Sequence, residues 1–139
     1  MIGLDTNILA RFYVDDPNDP EAAKQRPIAR RILSESPALF VPVTVVLELE
    51  WVLRALYGFG RQDFIRVIEH LAGLSNVTVE QEERVIRALA LHAEGLDFAD
   101  ALHWAACGDC EGFFTFDDRK FARKVGRMLV TPKVRVPMD

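Results

Sequence analysis

Met1-Ile2-Gly3-Leu4-Asp5-Thr6-Asn7-Ile8-Leu9 opens the chain, and these residues decide how the rest is read. Residues 1–4 are a short apolar run, the mark of a strand buried on both faces. The run stops at the carboxylate of Asp5. Thr6 and Asn7 suit a helix start, and Ile8, Leu9, Phe12 and Tyr13 give that helix an apolar face. A strand that turns directly into a helix is the repeating unit of an α/β fold. Its junction lies at the carboxyl edge of the sheet, where such folds build their sites.

The same alternation continues outward. Asp15-Asp16-Pro17-Asn18-Asp19-Pro20 is a loop. A helix over 20–35 follows, with Ala22, Ala23, Ile28, Ile32 and Leu33 on its apolar side and Pro27 expected to kink or split it. Residues 39–43 read as a buried strand. The helix after them runs to Tyr57 and is stopped by Gly58, with Leu47, Trp51 and Leu56 directed to the core. Helical spacing returns over 61–71. A strand is expected at 77–79, a helix at 80–93 ending before Gly95, and a helix at 98–108 capped by Asp97. Then come a strand at 113–116, a helix at 119–125 with Asp118 as its cap, and a last strand at 128–131. The expected fold is one α/β domain, 1–139, around a mostly parallel sheet. No repeat, low-complexity stretch or linker interrupts it.

Four acids fall where this pattern ends a strand or begins a helix: Asp5, Glu48, Asp100 and Asp117. Each has an ordinary alternative. Asp5 caps helices well, Asp97 and Asp100 suit a cap and the third helical position, and Asp118 competes with Asp117. Together they suggest a shared pocket whose mutual repulsion a hard cation relieves. That chemistry is Mg²⁺ or Mn²⁺, and phosphodiester cleavage is its most frequent use. Thr6, Asn7, Asp97 and Thr115 stand beside these acids as supporting residues, Asn7 able to steer Asp5 or a water. Glu50, two residues from Glu48, cannot share its helix face and reads as a surface partner of Arg54.

Other chemistries are poorly served. Cys107 and Cys110 form a lone Cys-x-x-Cys pair near His103. Structural zinc needs a second pair, and a redox pair should follow a strand, so they read as buried, reduced thiols. No serine stands near a histidine in a nucleophile elbow, and no Gly-rich phosphate loop is present. No apolar run has membrane-spanning length and no signal peptide is evident, so a cytoplasmic location is expected. The net charge of −4 hides a division: residues 1–118 carry 10 basic and 20 acidic side chains, residues 119–139 carry 7 and 1. The basic tail either holds a polyanion near the acids or is a solvated helix face and a protected edge strand.

These motifs resemble the PIN-domain ribonucleases, and within them the VapC-type toxins of toxin–antitoxin pairs. The resemblance rests on Leu4-Asp5-Thr6-Asn7-Ile8-Leu9, Val46-Leu47-Glu48-Leu49-Glu50-Trp51-Val52-Leu53, Gly95-Leu96-Asp97-Phe98-Ala99-Asp100-Ala101-Leu102-His103 and Phe114-Thr115-Phe116-Asp117, in that order over nearly the whole chain. It implies an α/β/α sandwich and matches Asp5, Glu48, Asp100 and Asp117 to an acidic quartet. Asp97 matches a further acid, and Thr115 the hydroxyl before the last Asp. One departure keeps Asp118 open beside Asp117. Three residues, Asp118-Arg119-Lys120, precede Phe121 where the family often has two.

The resemblance further implies a metal-dependent endoribonuclease leaving 5′-phosphate and 3′-hydroxyl ends, a homodimer, and a cognate antitoxin that blocks the site. The helices around 44–57 and 61–72 are candidate docking surfaces, or ordinary core. A DNA-directed nuclease and a nucleic-acid-binding module that no longer cleaves are the other readings.

Overall fold

A two-residue strand must borrow its hydrogen bonds from a neighbour, and Ile2–Gly3 (β1) does so from Leu39–Val41 (β2). Ile2 N donates to Ala38 O at 3.0 Å and Leu4 N to Phe40 O at 2.9 Å, parallel on both sides of the strand pair. Val77–Val79 (β3) joins the other edge of β2, also parallel, with Val41 opposite Val79. The computed structural model describes residues 1–138. The architecture is α/β, and all strand pairs among the described residues are parallel.

The chain divides into two compact units, Met1–Glu82 and Glu83–Asp139. In the first, parallel strands are linked by helices Thr6–Tyr13 (α1), Pro20–Glu35 (α2), Val43–Tyr57 (α3) and Arg61–Gly73 (α4). Leu9, Leu39, Val46, Leu49, Leu53, Ile68 and Leu71 are wholly buried and form its core. Pro42 precedes α3 and offers no capping oxygen. Glu80, at the carboxyl end of β3, supplies one by accepting from Val43 N at 2.8 Å. Gly58 ends α3 at φ +69°, the left-handed conformation that favours glycine.

The second unit holds most of Glu82–Ala93 (α5), then Phe98–Ala106 (α6) and Gly112–Phe114 (β4). A π-helical turn, Asp118–Ala122, runs into the short helix Arg123–Gly126 (α7), and Lys133–Arg135 (β5) closes the unit. β5 pairs with β4, Phe114 lying opposite Arg135. Phe98, Trp104, Phe121 and Val125 fill this core. Among the described residues no helix is long and apolar enough to cross a membrane.

Several expectations are corrected. The last strand is 133–135, not 128–131. Leu129 adopts φ +53° and turns the chain out of extended geometry, while Met128 and Val130 face a cleft of about 330 Å³ beside Trp104. The helix expected at 119–125 is a π turn followed by a short α-helix, and its cap is Asp117 rather than Asp118. Gln81, at φ +52°, keeps residues 80 and 81 out of α5. α2 runs unbroken through Pro27, and its buried residues are Ala22, Ala29 and Leu33, with Ile28 exposed. On α3, Trp51 and Leu56 are exposed, whereas Glu50 is buried against Arg54, its Oε2 2.8 Å from Nε. A buried carboxylate needs such a partner. Cys107 is half-buried and Cys110 exposed, both free. Desolvation, and then the Cys110 thiol, push Cys107 up, which withholds the reactive thiolate.

Candidate active site

In the first unit the junction of β1 and α1 places two acids on one hydroxyl. Asp5 is the α1 cap, accepting from Thr6 N at 2.8 Å through Oδ1. Thr6 is buried, and its Oγ1 donates a short hydrogen bond to Glu48 Oε1 from the first half of α3. Glu48 is exposed at the residue level yet tethered by this bond. The two parallel crossovers bring α1 and α3 against each other, so residues 42 apart in sequence meet. The capping role of Asp5 uses one of its two carboxylate oxygens, and the residue is exposed. Asn7 is exposed, and among the described residues its side chain has no hydrogen-bonding partner.

In the second unit Asp97 and Asp100 share the first turn of α6. Gly95 takes φ +107°, and His92 Nδ1 donates to Leu96 O at 2.7 Å, fixing the turn into the helix. Asp97 caps α6, accepting from Asp100 N at 3.0 Å through Oδ2. The capping arrangement read from sequence is therefore present, and it also sets Asp97 beside Asp100. Asp100 holds its proton more tightly than an ordinary aspartate. Desolvation is the main cause, the Asp97 carboxylate adds to it, His103 opposes it, and Asp117 adds again. Asp117 follows β4 and accepts from Lys120 N at 2.9 Å, while its own N–H donates to Thr115 Oγ1 at 3.1 Å. Thr115 thus orients Asp117 through the backbone.

Asp118 behaves differently. Its Oδ2 takes both Nε and Nη2 of Arg123 at 2.7 Å. A guanidinium fork neutralises it, whereas the Asp117 carboxylate adds to the raised proton affinity of Asp100. Ala122 N donates to Asp117 O at 3.0 Å, spanning five residues rather than four. That wider turn accommodates one extra residue between Asp117 and Phe121, and Phe121 still reaches the core. Sequence reasoning missed Glu80, another acid at a strand's carboxyl end. Its position after Val77–Val79 resembles that of Asp5 after β1, but its carboxylate is used on the α3 backbone.

The donor set is all hard oxygen, and Asp97 and Asp117 both disfavour charge on Asp100, so its chemistry suits Mg²⁺ or Mn²⁺ rather than a soft metal. Among the described residues no three acidic, His or Cys side chains converge closely enough to form a complete ligand set. None of the curated proteins matches the chain. The PIN domain matches residues 2–126, which takes in every acid described above. The chain therefore belongs to the PIN domain family, a family of nucleases.

Proposed function

We propose that this protein is a metal-dependent endoribonuclease, and that Asp5, Glu48, Asp100 and Asp117 together hold its Mg²⁺ or Mn²⁺. The observation that carries this reading is the setting of Asp100, which sits beside its cap Asp97 and holds its proton through desolvation first and the Asp97 and Asp117 carboxylates after it. Carboxylates are kept in such proximity at a cost that a bound cation offsets. The family match spans both compact units, which supports treating 1–139 as one nuclease domain. A bound cation supplies Lewis acidity toward water and the scissile phosphate.

The chain's own residues do the positioning. Thr6 holds the Glu48 carboxylate by Oγ1 and Asp5 by its backbone N–H. Asp97 pins the Asp100 backbone, and Thr115 pins that of Asp117. Asp5 and Asp117 each keep an oxygen outside these cap bonds for a cation or a water. Water adds to phosphorus, the bond to the 3′-oxygen breaks, and that oxygen leaves as a hydroxyl beside a 5′-phosphate.

The toxin role, with a homodimer, a cognate antitoxin and a cytoplasmic setting, rests on the motif resemblance. The exposure of Trp51 and Leu56 on α3 supports that helix as a partner surface. The incomplete convergence of ligands favours one other reading, a PIN module that binds nucleic acid without cutting it. Purified chain and Asp5→Asn, incubated with total RNA and with matched DNA in Mg²⁺, Mn²⁺ or EDTA, separate these. Discrete RNA cuts requiring both metal and Asp5 are expected. Absence of cleavage by folded protein gives the binding module, and equal cutting of DNA gives a DNA-directed nuclease.

A further inference from the structure

Cys107 and Cys110 are the only cysteines of the chain, and both are free. They stand at the two ends of one turn between α6 and β4. Cys107 is the C-cap of α6, its N–H bonded to Trp104 O at 3.0 Å, and Cys110 N donates to Cys107 O at 2.9 Å. That second bond closes residues 107–110 as a β-turn, which holds its end Cα atoms within about 7 Å. A disulfide spans Cα atoms roughly 4.4–6.8 Å apart, so the turn sets the two residues at bridging distance. The thiols themselves are neighbours: Cys110 raises the proton affinity of Cys107 through its charge and through a hydrogen bond. The turn is also held from its flank. A Cβ at Gly108 would lie 3.0 Å from Arg87 Nη1, and Arg87 is anchored on Thr131 O and against the Trp104 ring. All of these residues belong to the second unit.

Two thiols held together can take a metal or each other. A structural metal needs further donors, and among the described residues no third His, Cys, Asp or Glu joins them in a metal-binding group. Thiol–thiol chemistry is what the pair offers. We propose that Cys107 and Cys110 form a reversible redox site, which a peroxide closes to an intramolecular disulfide across the turn joining α6 to β4. Cys110 is the attacking sulfur, because desolvation first and Cys110 second keep Cys107 protonated. The Cys110 thiolate takes one peroxide oxygen, the O–O bond breaks, and the departing hydroxide is protonated to water. Cys107 then attacks the sulfur of the Cys110 sulfenic acid. The S–S bond forms, the S–O bond breaks, and the Cys107 proton leaves with the hydroxide as a second water. The two sulfurs give up two electrons in all, and the peroxide is reduced by them. The bond ties the end of the helix that carries Asp100 to the start of the strand that precedes Asp117. A small dithiol reopens it by exchange. The redox site does not rest on the nuclease reading.

The test uses the full chain, reduced and freed of thiol, given hydrogen peroxide and then iodoacetamide, and read by intact mass. The folded chain is expected to lose two hydrogens and to take up no label, and dithiothreitol is expected to restore both labels. Cys110→Ser should leave Cys107 a thiol that still takes its label. Cys107→Ser should leave a sulfenic acid on Cys110 that dimedone captures. A closed turn has less freedom to gain on unfolding, so oxidised chain should melt above reduced chain, and that shift should vanish in either variant. Retention of both labels by the folded chain after peroxide overturns the site. Covalent dimers, or an over-oxidised Cys110 in place of the disulfide, overturn it as well. So does an oxidised chain that melts at or below the reduced one, because the bond would then be forced on a turn that does not fit it. The mass readout on the parent chain needs no variant, so a serine change that harms folding leaves the test intact.

Discussion

Thr6 is a small buried residue whose hydroxyl reaches a carboxylate 42 positions away. Removing that donor while keeping the volume isolates its role, so Thr6→Val is expected to lower RNA cleavage about 10- to 100-fold, as loss of a ligand-orienting partner does. The fold should lose only about 1 kcal/mol, one hydrogen bond's net contribution. Thr6→Ser should recover most activity; cleavage at the parental rate in Thr6→Val would show that Glu48 needs no tether. Asp100 gives a pH signature. Its folded proton affinity is raised, so its stabilising contribution is complete below the unfolded pKa and is lost as pH rises through the folded one. In EDTA, Asp100→Asn should therefore melt above the parent at neutral pH, with the advantage vanishing below about pH 4, where unfolded aspartate is protonated. Equal melting at neutral pH would remove the raised proton affinity that burial and the neighbouring acids give Asp100. The acids themselves were legible from their places at strand ends and helix starts. The Thr6–Glu48 bond was not, because no local pattern encodes a contact made by a parallel crossover.

Elements differ in how much of themselves they write into sequence. β3 lies at 77–79 as expected, and β2 keeps 39–41 of the expected 39–43 because Val43 already opens α3. α6 announces itself through Asp97, whose cap is worth about 1 kcal/mol, so Asp97→Ala should lower stability by that amount and Asp97→Ser by little. The π turn is invisible to periodicity, since Asp118-Arg119-Lys120-Phe121 suits an α-helix equally well. What selects the wider turn is the pair of anchors at its ends, Asp117 at the acidic cluster and Phe121 in the core. If the turn only accommodates one residue, deleting Arg119 should convert it to an α turn and leave the melting temperature near the parental value. Phe121→Ala, by contrast, should cost about 3–5 kcal/mol by emptying the core. A deletion as damaging as Phe121→Ala would mean the wider turn is itself required. β5 was missed for the opposite reason. Lys133-Val134-Arg135 alternates with only one apolar residue, while Met128-Leu129-Val130 looks more like a strand but turns at Leu129.

At the scale of the whole chain, the family match ends at residue 126, and the structure gives the following residues a definite task. Trp104 is buried in the second unit, and its Nε1 donates to Pro132 O at 2.8 Å. Arg87 lies 4.6 Å from the centre of the Trp104 ring and donates to Thr131 O at 2.6 Å. β5 supplies the only partner β4 has among the described residues. Removing 127–139 would thus unpair β4, strand a buried indole donor and open the cleft lined by Met128 and Val130. An unsatisfied buried donor alone costs about 1–3 kcal/mol. A chain ending at Gly126 is therefore expected to lose its cooperative thermal transition, and with it metal-dependent cleavage, although Asp5, Glu48, Asp100 and Asp117 are all retained. Trp104→Phe in the full chain removes only the donor and should fold with a loss nearer 1 kcal/mol. A truncated chain that melts like the parent would show that the family-matched region folds alone. The basic tail would then be an appended binding segment, and charge alone would explain its residues. Loss of folding would make the same tail both structure and surface: Val134 packs inward, and Lys133 and Arg135 face out from one strand.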